Sequence, residues 1–69
     1  MIVGDLIYND DFDVNCNFEV YSYQWNDGGR LLWSTIRDGY SKPPCALLDK
    51  EVGYITVNRE NGALVIETI

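Results

Sequence analysis

Sixty-nine residues and 7.9 kDa make one small domain, 1–69, with no room for a second. A composition that is 46% apolar and 13% aromatic excludes a disordered chain, and no apolar run approaches the roughly 20 residues of a membrane-spanning helix. A net charge of −6 disfavours nucleic acid and anionic lipid, and the lack of histidine removes the commonest general base and zinc ligand.

Along the chain, Val3, Leu6 and Ile7 stand at i, i+3 and i+4. That spacing predicts a short helical turn over residues 2–7, an edge strand being the alternative. From Val14 the period changes to two: Val14, Cys16, Phe18 and Val20 alternate with Asn15, Asn17 and Glu19, as in a half-buried strand. The alternation then flips, and Tyr21, Tyr23 and Trp25 continue the strand on its other face. A bulge between Val20 and Tyr21 would restore a single inward face. Asn26-Asp27-Gly28-Gly29 is the strongest turn signal, because a hairpin turn requires positive φ there. Residues 30–36 read as the return strand, closed by Asp38 and Gly39. Gly28 is thus the position where a side chain is expected to cost most, Gly39 lying in a looser connection. Tyr40 to Pro44 form a loop, since two consecutive prolines exclude regular pairing.

Residues 45–50 follow the prolines as one helical turn. Residues 52–57, rich in β-branched side chains, predict a strand in which Gly53 marks a bulge. Asn58-Arg59-Glu60-Asn61-Gly62 makes the second hairpin turn, with Gly62 left-handed, and residues 63–69 form the last strand. The sum is a β-dominated α+β domain. It is an antiparallel sheet of two hairpins with one or two short helical turns, or a five-stranded small β-barrel if residues 2–7 join the sheet. The last strand, free of proline and lysine, is the candidate exposed edge.

Charge is segregated along this frame. Residues 1–29 carry Asp5, Asp10, Asp11, Asp13, Glu19 and Asp27 with no base, whereas residues 30–69 balance acids and bases. Such a segment sets up a field of one sign, which repels phosphates and attracts basic surfaces; the plainer reading is that the charge serves solubility. Asp11, Asp13 and Asn15 match the first ligand positions of a calcium loop, but Cys16 replaces its glycine and Ser22 its closing glutamate, so no metal is expected. Asp11 and Asp13 also have the spacing of paired carboxylates. No nucleophile or phosphate-loop motif accompanies them, and the expectation is a protein without catalytic residues or cofactor. Aromatics next to a basic groove would indicate single-stranded nucleic acid, but here they sit among acids.

Acids around tyrosine and tryptophan instead fit a protein-binding surface facing a basic partner. The candidate residues are Asp10, Asp11, Asp13, Glu19, Tyr21, Tyr23, Trp25 and Asp27. The competing reading has Tyr21, Tyr23, Trp25 and Trp33 stabilising the first hairpin by cross-strand pairing. A homodimer formed through exposed strand edges is the alternative to a foreign partner. Residues 1–5 lack a basic start followed by an apolar stretch, so a cytoplasmic protein is expected, with Cys16 and Cys45 as reduced, partly buried thiols.

Met1-Ile2-Val3-Gly4-Asp5-Leu6-Ile7, together with Leu47-Leu48-Asp49-Lys50-Glu51-Val52 leading to Ile55-Thr56-Val57, resembles pieces of short acidic uncharacterised proteins of bacterial phages and mobile elements. The resemblance covers about a third of the chain and carries no functional residue across. It implies a cytoplasmic, β-rich accessory protein; some small acidic proteins of that origin inhibit host defence nucleases, an analogy of class alone.

Overall fold

The computed structural model describes residues 1–8 and 16–69. Helix α1 (Val3–Ile7) is followed by strand β1 (Phe18–Tyr21), a 3₁₀ turn (Trp25–Asp27), strand β2 (Leu31–Ser34) and helices α2 (Thr35–Asp38) and α3 (Cys45–Leu48). Strands β3 (Val52–Asn58) and β4 (Ala63–Thr68) complete it. No helix among the described residues is long and apolar enough to cross a membrane.

The class is α+β, and both hairpins form: β1 pairs antiparallel with β2, and β3 with β4. They do not make a purely antiparallel sheet, nor a closed barrel. The strand order is β2-β1-β4-β3, and β1 runs parallel to β4, with Phe18 beside Leu64 and Val20 beside Ile66. The sheet is therefore mixed and open, and β4 is an interior strand rather than the exposed edge. Its sequence explains the place: Ala63-Leu64-Val65-Ile66 is an unbroken apolar run, suited to burial on both faces. Ala63, Val65 and Ile66 are all fully buried.

Val20 and Ile66 on one face pack with Val3, Leu47 and Leu48 from the helices, and Leu6, Phe18, Trp33 and Leu64 pad this core. Residues 1–3 are tied to the start of β3: the Val3 N–H donates to the Lys50 carbonyl and the Val52 N–H to the Met1 carbonyl, both at 2.8 Å. The helical turn read for residues 2–7 thus forms, and Ile2 adds one antiparallel bridge to Glu51.

Register departs from regularity in the two places the residue pattern marks. Between Val20 and Tyr21 the β1–β2 pairing shifts, Val20 facing Trp33 but Tyr21 facing Leu31. The extra residue is Leu32, on β2; β1 itself stays regular against β4, so Tyr21 shares a face with Glu19, opposite Val20. The second shift lies between Val52 and Tyr54 and makes Gly53 the bulge residue.

Two segments differ from the alternation that predicts them. β1 ends at Tyr21, and Trp25 belongs to a 3₁₀ turn, because the Gln24 carbonyl takes the N–H groups of Asp27 (3.1 Å) and Gly29 (2.8 Å) and folds the chain back. β2 ends at Ser34, not at residue 36. The Ser34 hydroxyl accepts from the N–H groups of Ile36 (3.1 Å) and Arg37 (3.4 Å), and the Asp38 carboxylate accepts the Ser34 N–H at 3.0 Å. These reciprocal caps satisfy helix-terminal donors that a continuing strand would leave unpaired. At the other end of α2, Gly39 has φ 88° and ψ −171° and donates its N–H to the Thr35 carbonyl.

Arg37, before the backbone N–H of Ser34, holds the Asp38 carboxyl below its ordinary value of 3.8. A depressed carboxylate stabilises the fold above its unfolded pKa, and the contribution is lost as pH falls through the lower folded value. Asp38→Asn should therefore lose stability at neutral pH and show a flatter decline below about pH 4 than the parent. Urea melts at pH 7 and pH 3 check this; parallel curves for the two proteins would exclude a role for Asp38.

Candidate functional site

Helices cover one face of the sheet. Across the other, the connection between β1 and β2 folds over β4 and β3, and a shallow cleft of about 370 Å³ opens among Gln24, Asp27, Tyr54 and Glu67. A neighbouring cleft shares Gln24, Tyr54 and Glu67 and is extended by Tyr23 and Ile69. A third, beside the second hairpin turn, has Trp25 on one wall and Asn58, Arg59 and Glu60 on the other.

The aromatic content of this face is high. Tyr23 and Tyr54 are 59% and 60% exposed, a large apolar surface left to solvent. Trp25 is half-buried and meets Tyr21 at a ring separation of 6.4 Å and an interplanar angle of 51°, within the tilted geometry that aromatic pairs favour. Burial, and next the Glu19 carboxylate, hold the Tyr21 phenol above its ordinary value of 10.0, partly offset by a hydrogen bond with Trp25. Tyr21 stays neutral at physiological pH and helps to fix the turn that carries Trp25.

Acids complete the face. Asp27 is exposed and Glu67 half-buried, and among the described residues neither forms an ion pair; the pairs seen are Arg37 with Asp38 and the Met1 amine with Glu51. Carboxylates without a local counter-charge leave the cleft negative. Arg59 borders the far cleft.

The residues singled out by sequence divide three ways. Tyr21, Tyr23, Trp25 and Asp27 come together on this face. Glu19 lies on the same side of the sheet but is buried, 8% exposed, and takes a long hydrogen bond (3.5 Å) from the Asn58 amide, so it supports the hairpin from beneath and offers a partner little surface. Asp10, Asp11 and Asp13, and with them the calcium-loop spacing that ends at Asn15, lie outside the described residues. Sequence reading missed Tyr54, Glu67 and Gln24. The period-two pattern of β3 and β4 does place Tyr54 and Glu67 on a common face, but only the parallel β1–β4 pairing brings that face to Trp25. Cys16 and Cys45 are free and exposed, not partly buried; both stand at the margins of regular elements, Cys45 opening α3.

The far side of the molecule has another apolar cleft, of about 240 Å³, between β2 and α3, lined by Leu32, Trp33, Pro44, Ala46, Leu47 and Lys50. The Trp33 indole N–H is buried there without a hydrogen-bond partner.

Comparison with protein-family models, curated proteins and solved structures gives no match for this chain.

Proposed function

We propose that this chain is a non-enzymatic acidic protein-binding module, working in the cytoplasm, that docks on a basic surface of a protein partner. The observation that carries the reading is the pairing of exposed Tyr23 and Tyr54 with the unpaired carboxylates of Asp27 and Glu67 around one open cleft. Aromatic rings supply desolvated anchors, and an uncompensated negative field steers a cationic surface towards them. The shape is open and shallow, which suits a protein face better than a small substrate that has to be enclosed. A groove that holds nucleic acid has the required charge, and an inhibitor of a host defence protein encoded by a phage or mobile element would use such a face.

The test is capture of host proteins on the immobilised chain, identification by mass spectrometry and binding kinetics on the captured partner. Asp27→Asn with Glu67→Gln is expected to lower the association rate about tenfold at low salt, matching the effect of added salt on the parent. Tyr54→Ala is expected to speed dissociation about tenfold or more, because a central aromatic anchor acts after encounter. Arg59→Glu serves as a control. Should Arg59→Glu abolish binding while the double variant binds at the parent rate, the functional face is the second hairpin turn and the acidic cleft is a solubility feature.

A further inference from the structure

The two edges of the sheet are chemically unlike. β2 is four residues long, and the Arg37 guanidinium reaches back to donate to the Leu32 carbonyl at 3.0 Å, closing that edge with a charged side chain. β3 is seven residues long and carries no charge, proline or lysine. Its pairing with β4 fixes which of its peptide groups are free. Leu64 sends its N–H to the Asn17 carbonyl, on the β1 side, so Leu64 and Ile66 turn away from β3. Their partners Val57 and Ile55 are then the non-hydrogen-bonded positions of the β3–β4 ladder, and direct their own N–H and C=O groups outward. Among the described residues nothing covers these groups. Residues 1–3 occupy the edge only as far as Val52. The side chains of Ile55 and Val57 are also open, 38% and 51% exposed.

We infer that β3 is a self-association edge that pairs antiparallel with β3 of a second copy, about a two-fold axis at Thr56. This register alone uses all the free groups, since Ile55 then faces Val57 of the second copy and each such pair exchanges two N–H···O=C bonds. Directly opposed residues share a face, so the exposed Ile55 and Val57 side chains of both copies cover one another. Because Arg37 closes β2, growth stops at two copies, an isologous dimer with one continuous eight-stranded sheet. The clefts holding Tyr54 then flank the axis on one side of that sheet. This assembly stands apart from the acidic face and does not require it.

Sedimentation velocity over a micromolar to millimolar range tests it. The parent is expected to pass from monomer to dimer without larger species, and Ile55→Lys to weaken association about tenfold or more while keeping its circular dichroism spectrum. In a Cys16→Ser, Cys45→Ser background, Thr56→Cys is expected to oxidise to a covalent dimer. Non-hydrogen-bonded partners across a two-fold hold their Cα atoms about 4.5 Å apart, within disulfide reach. A parent that stays monomeric overturns the inference, as does a dimer indifferent to Ile55→Lys. Crosslinking at Thr56→Cys no faster than in a variant retaining Cys45 alone does the same. Asp27→Asn with Glu67→Gln is expected to leave the dimer intact, which separates this result from the fate of the binding face.

Discussion

Ile66→Ala should lower the free energy of unfolding by about 4 kcal/mol, the largest effect of any single truncation in this chain. Ile66 is fully buried at the centre of the helix-covered face, in parallel register with Val20 and opposite Ile55. Removing its side chain gives up the transfer free energy of the lost methyl groups and leaves a cavity between two strands that backbone pairing prevents from collapsing. A chain of 69 residues has a total stability of only roughly 3–10 kcal/mol, so the variant sits near the threshold of folding. Urea denaturation followed by tryptophan fluorescence gives the value directly. Val57→Ala, half-exposed on the outer strand, is the matched control, with an expected loss below about 1 kcal/mol. Equal losses in the two would place the core elsewhere.

Gly39→Val should cost about 3 kcal/mol and exceed Gly28→Val, which should cost roughly 1–2 kcal/mol. The turn signals in the sequence point the other way, since Asp-Gly-Gly marks the tighter connection. Both glycines have positive φ, 85° at Gly28 and 88° at Gly39, and a Cβ at either position would meet nothing within 4 Å. The cost is therefore one of backbone conformation alone, and ψ decides the order. Gly28, at ψ 12°, is left-handed helical, a region side chains enter with moderate strain. Gly39, at ψ −171°, lies in a region that only glycine populates freely. Its N–H also ends α2 on the Thr35 carbonyl, so a shift that relieves the strain would undo that cap. Melting both variants beside the parent checks the order, and a larger loss at Gly28 would contradict it.

Local structure was legible in the residue pattern because its causes are local. Positive φ at Gly28 and Gly62, the bulge at Gly53, the helical turns after Ile2 and after Pro44, and the two hairpins all follow from neighbours within a few positions. α2 was hidden because Leu31 to Ile36 reads as a continuous strand without glycine or proline, and its cap joins Ser34 to Asp38, one residue further than the familiar capping box. Strand order was hidden for a different reason. Phe18 and Leu64 are neighbours through a pairing that no turn residue between them announces. The unbroken apolar run of β4 was the available sign of an interior strand, and it outweighs the absence of proline and lysine. The same long-range step conceals half of the candidate site, since Tyr54 and Glu67 join Tyr23, Trp25 and Asp27 only across that pairing.

The parallel seam between β1 and β4 also sets an order of events. Each hairpin closes a short loop, whereas the seam closes a long one, whose entropy has to be met before its contacts return anything. Val20 and Ile66 meet across it, so the step that completes the core is the late one. The acidic, aromatic face straddles the same seam, Trp25 and Asp27 arriving with the first hairpin and Tyr54 and Glu67 with the second. Neither hairpin alone carries a recognisable half of it. A partner bound on the proposed face would therefore act as a clasp, holding together the two hairpins that the seam joins.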